Sequence, residues 1–227
     1  MNGERDSNFA PGTRQLLHLA GLLFLFLNLY VLLERFNAGL VWGLWAWITA
    51  VLHQGLVAVV WRRALMKPPA GKNALRIWMM LFAPAFFVLL ISRLVLTVLA
   101  SRATAATVFP PVEASVIAMA VIAALAGWTF YSVLRHFGLF RALGADHFVA
   151  AYRRRPMVRE GIFRYTPNAM YTFGTLVFLL PGIWFRSGPG MAVGLFHYCA
   201  IWIHYWATEL PDMAYMYRNA PRRESRN

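Results

Sequence analysis

The sequence predicts an all-α bundle of membrane-spanning helices, and three observations predict it. Of its 227 residues, 59% are hydrophobic and 14% charged, against about a quarter charged in an ordinary soluble domain. Largely apolar runs of about 18 to 24 residues recur along the chain, the length that crosses a hydrocarbon core ~30 Å thick at a helical rise of ~1.5 Å per residue. The basic residues sit in the connections between those runs and fall mostly on alternate connections, as the positive-inside rule requires.

Six spans are expected, and the same runs are compatible with five or seven. The first, 16–33, follows the mixed-charge stretch MNGERDSNFAPGTRQ; with no small-residue cleavage pattern after it, it reads as a retained span and not a cleaved leader. The second, 38–61, carries Trp42, Trp45, Trp47 and Trp61, which suit interfacial aromatic belts. Lys67-Pro-Pro-Ala-Gly-Lys72 then reads as a turn. The third, 75–91, contains Pro84, which removes a backbone donor and can kink the helix. Residues 92–107 are apolar enough to lengthen that span or to lie at the interface. The fourth is 112–134. Spans five and six, 169–185 and 191–206, form a hairpin around Arg186-Ser-Gly-Pro-Gly190, a turn-forming string. The chain reads as one membrane domain over 1–227: a four-span half, 1–134, then a long polar segment with the hairpin, 135–227. No internal repeat is present.

A net charge of +13 would point to nucleic acid if the basic residues made one patch on a soluble fold. They do not, and no nucleic-acid partner is expected. Under the six-span reading eighteen of the 22 basic residues lie on one side, leaving Arg35, Arg93, Arg102 and Arg186 for the other. Both termini and the long loops are therefore expected to be cytoplasmic. The run Arg153-Arg-Arg155-Pro156 is expected to lie on anionic lipid headgroups, each basic residue contributing roughly 1 kcal/mol, or simply to be solvated. The single Cys199 leaves no intramolecular disulfide and no multi-cysteine metal site. Usage rich in Ala and Arg points to a bacterial inner membrane; oligomeric state is not legible.

Two polar strings stand out against the apolar background: GIFRYTPNAMYTFG at 161–174 and HYWATELPDMAYMY at 204–217. Polar and ionisable groups beside membrane segments are costly to desolvate and mark functional sites. A hairpin of spans five and six brings the two strings to one membrane face, expected to be the cytoplasmic one.

Together these strings resemble the integral-membrane methyltransferases that include phospholipid N-methyltransferases and isoprenylcysteine carboxyl methyltransferases. In that superfamily a Gly-x-Tyr/Phe-x-Tyr string leads into Arg-His/Asn-Pro-x-Tyr, and an acidic segment after the last hairpin completes an S-adenosylmethionine site. The resemblance spans about 144–220. It implies Gly161, Phe163, Tyr165, Asn168, Tyr171 and Glu209 as cofactor-binding positions. Pro167 stands where the family carries Arg, Ala169 where it carries Pro, and Gly174 is one place late. A lost Arg removes a bidentate carboxylate clamp, so Arg164 or Arg159 is expected to take its place.

The residue types make chemical sense on their own. Methyl transfer from a sulfonium needs a nucleophile held in line, about 3 to 3.5 Å from the methyl carbon, in a pocket that excludes water; it needs no metal. Asn168 can hydrogen-bond adenosine edges, and Phe163, Tyr165 and Tyr171 can stack on adenine or face the sulfonium. Glu209, Asp212 and His204 are the catalytic candidates, because an ammonium must lose a proton before it can attack. Plainer roles stand beside these. Tyr165, Tyr171, Tyr215 and Tyr217 also suit interfacial belts, and Glu209 or Asp212 can make surface pairs with residues such as Arg218. His197 and His204, seven apart on one helical face, can hydrogen-bond between helices.

The resulting expectation is a membrane enzyme that methylates the headgroup amine of a phospholipid such as phosphatidylethanolamine or its partly methylated forms. A carboxyl or thiol acceptor of the isoprenylcysteine type is the alternative within that class. From other classes come an NADPH-dependent membrane reductase, whose family carries a similar C-terminal string on longer chains, and a haem-binding protein ligated by His53, His197 or His204.

Overall fold

A computed structural model describes residues 11–66 and 74–217. The turn at 67–72, Arg218 and the tail beyond it lie outside the described residues, which form helices and no strand. Four helices are long and apolar enough to cross a bilayer: α1 (Pro11–Arg35), α2 (Leu40–Met66), α3 (Ala74–Ala103) and α4 (Val112–Ser132), the last extended by a π-helical turn, Val133–Phe137. Residues 92–103 prolong α3, and Pro84 lies inside it.

Local chemistry sets the helix ends. Asn37 closes α1 with a positive φ of 51°, and its N–H bonds the Glu34 carbonyl at 3.0 Å while Ala38 N–H bonds Leu33 at 3.1 Å. That is the paired pattern of a left-handed helix stop, which Asn tolerates.

After α4 the chain breaks into short pieces: α5 (Leu139–Ala142), α6 (Ala145–Phe148), α7 (Ala150–Arg153) and a 3₁₀ turn, Gly161–Arg164. Residues 169–184, expected as a fifth continuous span, are instead α8 (Ala169–Thr172), a 3₁₀ stretch (Gly174–Leu179) and α9 (Leu180–Trp184). The expected sixth span is α10 (Gly188–His204), 17 residues long, continuing through a π-helical turn (Tyr205–Glu209) into α11 (Leu210–Tyr217). Four long helices and a shorter, broken hairpin therefore make up the described architecture.

The hairpin is the centre of the bundle. α10 packs against α1, α2, α3 and α9, whereas α4 reaches the rest mainly through the broken stretch 169–184. Leu29, Leu33, Ala46, Ala50, Ala100, Val193 and Phe196 form the central core, and large side chains such as Leu16, Phe24, Val88 and Ile117 point outward, as lipid contact requires. A second cluster joins Val57, Trp61, Phe82 and Ala83 to Leu143 and Ala145. It pins the loop after α4 onto the end of α2.

Candidate active site

The wide turn after α10 has a local cause. Pro211 has no N–H, so the carbonyl four residues earlier, on Ala207, cannot receive its helical bond. Arg62 Nη2 donates to that carbonyl instead, at 2.9 Å. The π-helical register of 205–209 inserts an extra residue into the helix at the point where Tyr205 and Glu209 reach the site.

On the facing side, Gly161 opens the motif with φ +57°, and a Cβ there would come 2.5 Å from Ser132 Oγ. The Ser132 hydroxyl accepts from Ile162 N–H at 3.1 Å. Ile162, Phe163 and Ala169 pack on Val133, and Phe163 stacks on Phe137 at 5.2 Å. The lead-in thus anchors the motif to α4 and leaves Pro167, Asn168, Met170 and Tyr171 facing a cavity.

That cavity, about 160 Å³, is lined by parts of five regions: Trp61 of α2, Phe137 and Arg141 after α4, Asp146 and His147 of α6, the 167–171 motif, and Tyr205, Glu209, Met213 and Tyr217. Tyr171 donates its hydroxyl proton to Glu209 Oε2. Burial pushes the Glu209 carboxyl up to about 7, with the Tyr171 hydrogen bond acting in the opposite direction. Tyr217 donates to Asp146 Oδ2 at 2.9 Å.

His147 stacks on Trp61 at 4.2 Å between two carboxylates, 3.4 Å from Asp146 and 3.7 Å from Asp212. Burial alone would lower its pKa; the two carboxylates outweigh that and raise it. Burial would conversely raise Asp146, and His147 with Tyr217 and Arg141 holds it below the usual carboxylate range.

The sequence candidates divide. Asn168, Tyr171 and Glu209 meet on the cavity wall. Asp212 lies one layer behind, fully buried, paired with Arg62 at 3.4 Å and with His147. His204 is buried beside His18, at 5.3 Å, and Trp61. Gly161 and Phe163 shape the backbone and core beneath the motif. Tyr165, 71% exposed, packs edge-on against Trp128, and Arg159 and Arg164 are exposed. None of these three is among the lining residues. His53 and His197 face the buried Arg93 at 3.3 and 3.1 Å.

Sequence reasoning missed Trp61, Phe137, Arg141, Asp146 and His147. The available signal was the Asp-His pair inside a hydrophobic stretch, Ala142 to Val149.

A motif loop, an acidic residue on the following hairpin and an aromatic cavity between them are thus on one face of the bundle. Residues 114–220 match the phospholipid methyltransferase family. The stretch runs from α4 to just past α11, so it contains both polar strings, and the resemblance drawn from them is borne out. The matched stretch is a little under half of the chain, and over it the protein is similar to that family of methyltransferases. No curated protein and no solved structure gives a match.

Proposed function

We propose that this protein transfers a methyl group from S-adenosylmethionine to the headgroup amine of a membrane phospholipid, such as phosphatidylethanolamine or a partly methylated form, at a cavity on the cytoplasmic side of a bacterial inner membrane. The observation that carries the proposal is the Tyr171–Glu209 hydrogen bond on the wall of an aromatic cavity. It joins the family motif to an acidic group that changes charge near neutral pH.

The donor set fits the cofactor. Asn168 offers an amide donor and acceptor for adenosine edges, and the rings of Phe137, Tyr171 and Tyr205 suit adenine stacking or attraction to a cation. When bound, S-adenosylmethionine supplies an electrophilic methyl carbon on sulfur. The chain's own residues do the rest. Ionised Glu209 attracts the acceptor's ammonium and takes its proton, freeing the nitrogen lone pair. Tyr171 orients the carboxylate, Asp146 adds negative potential, and the surrounding rings exclude water.

Purified protein given labelled S-adenosylmethionine and mixed membrane lipids should label a phospholipid, identified by mass. Label found only in a methyl ester or thioether would overturn the amine acceptor and leave the methyltransferase reading in place.

A further inference from the structure

Arg141 is the charged group on the cavity wall that methyl transfer to an amine leaves unused. It is 6% exposed and lines the cavity together with Pro167, Asn168 and Met170. Its Nη1 donates to the Pro156 carbonyl at 2.8 Å, which fixes the guanidinium, and its face lies 5.2 Å from the Phe137 ring. Among the described residues Nη2 has only long contacts, 3.4 Å each to Met157 Sδ and the Tyr217 hydroxyl.

Among the described residues no carboxylate pairs with Arg141. The cavity's two carboxylates are engaged elsewhere, Asp146 with His147 and Tyr217, Glu209 with Tyr171. Asp146 lies near enough to feel the Arg141 charge but makes no ion pair with it; a buried cation without a directly paired anion is costly, and this one presents part of its donor fork to a cavity that also holds carboxylates. Such a wall is complementary to a ligand carrying an anionic group and an ammonium close together.

Two ligands of the proposed reaction have that chemistry: the amino-acid end of S-adenosylmethionine and a phosphoethanolamine headgroup. Position favours the first. Arg141 shares the wall with Pro167, which occupies the place of the arginine in the motif the chain resembles, while Arg159 and Arg164 are exposed and outside the lining.

We propose that Arg141 is the anion clamp of this cavity and holds the carboxylate of the cofactor's methionine part, replacing from α5 the arginine that the motif lacks. The assignment rests on the S-adenosylmethionine reading. Its neighbour Asp146 then faces the amino group of the same ligand, and Glu209 is left for the acceptor.

The test is calorimetric titration of the full chain in detergent with two ligands, S-adenosylhomocysteine and 5′-methylthioadenosine, which share the nucleoside but differ in the amino-acid end. Arg141→Gln should weaken S-adenosylhomocysteine by about 10- to 100-fold, the scale of a lost charge-assisted bond, and leave methylthioadenosine unchanged. Retained methylthioadenosine binding also reports an intact fold. Arg141→Lys, which keeps the charge and loses the fork, should fall between. Equal weakening of both ligands would reduce Arg141 to an anchor for Pro156 and overturn the clamp. So would undiminished S-adenosylhomocysteine binding with a raised KM for phospholipid, which would assign the guanidinium to headgroup phosphate. A wild-type chain that binds S-adenosylhomocysteine no tighter than methylthioadenosine would overturn the clamp alone. One that binds neither would overturn the cofactor reading and the clamp with it.

Discussion

Glu209 changes charge in the range where an amine methyltransferase has to work. Its burial places the carboxyl at about 7, so below that pH it is protonated and cannot take a proton, and above it is ionised and can. Turnover should rise as pH passes through about 7 and continue upward as the amine itself deprotonates; a carboxylate acceptor, ionised throughout, gives no such continued rise. Glu209→Gln keeps the shape and removes the charge. It should lower turnover by ~10²-fold, the scale of acid–base contributions, and abolish the lower inflection; wild-type turnover would make the residue a bystander. Tyr171→Phe removes a hydrogen bond that favours the ionised carboxylate, so the same inflection should move to higher pH. A pH–rate series on the three proteins checks both outcomes.

The hairpin depends on a cap that sits in the core. Ser187 is fully buried, accepts from Gly190 N–H at 2.8 Å to start α10, and shares a 2.7 Å hydrogen bond with Thr104 at the end of α3. Ser187→Ala removes the cap, worth ~1 kcal/mol, and leaves the Thr104 hydroxyl one partner fewer. Thermal unfolding in detergent should show a lower midpoint, with cofactor affinity retained because the cap is at the opposite end of α10 from Glu209. At that other end, Pro211 and Arg62 together hold the wide turn that carries Tyr205 and Glu209, so a proline placed by sequence sets the register of the site.

Across the whole molecule, the Arg62–Asp212–His147 contacts tie α2, α11 and α6 together behind the cavity. Asp212 is fully buried, and Asp212→Ala leaves a buried arginine and a buried histidine facing a gap. Breaking such a pair costs about 3 to 5 kcal/mol, so this variant should unfold at markedly lower temperature, measurable even without an activity assay. Topology gives a test at the same scale. With eighteen of 22 basic residues on one side of a six-span reading, a reporter fused after Asn227 should lie in the cytoplasm. A periplasmic signal would reverse the orientation and move the cavity to the other face.

Apolar run length and loop charge determined the class of fold from the sequence alone, because a bilayer imposes a minimum helix length and every backbone group must bond internally. The two polar strings stood out because their residue types are costly in that setting, and the family resemblance they carry pointed within them to Asn168, Tyr171 and Glu209. Composition could not show that 169–184 is broken into α8, a 3₁₀ stretch and α9: an apolar run reads alike whether its helix is continuous or interrupted. Nor could it show that Asp212 is buried behind the wall or that Tyr165 is exposed. The far wall of the cavity was decided by tertiary structure. Arg141, Asp146 and His147 reach Glu209 only because Leu143 and Ala145 pack on Trp61, about eighty residues earlier in the chain, and contacts between such distant residues leave no periodicity for a sequence to display.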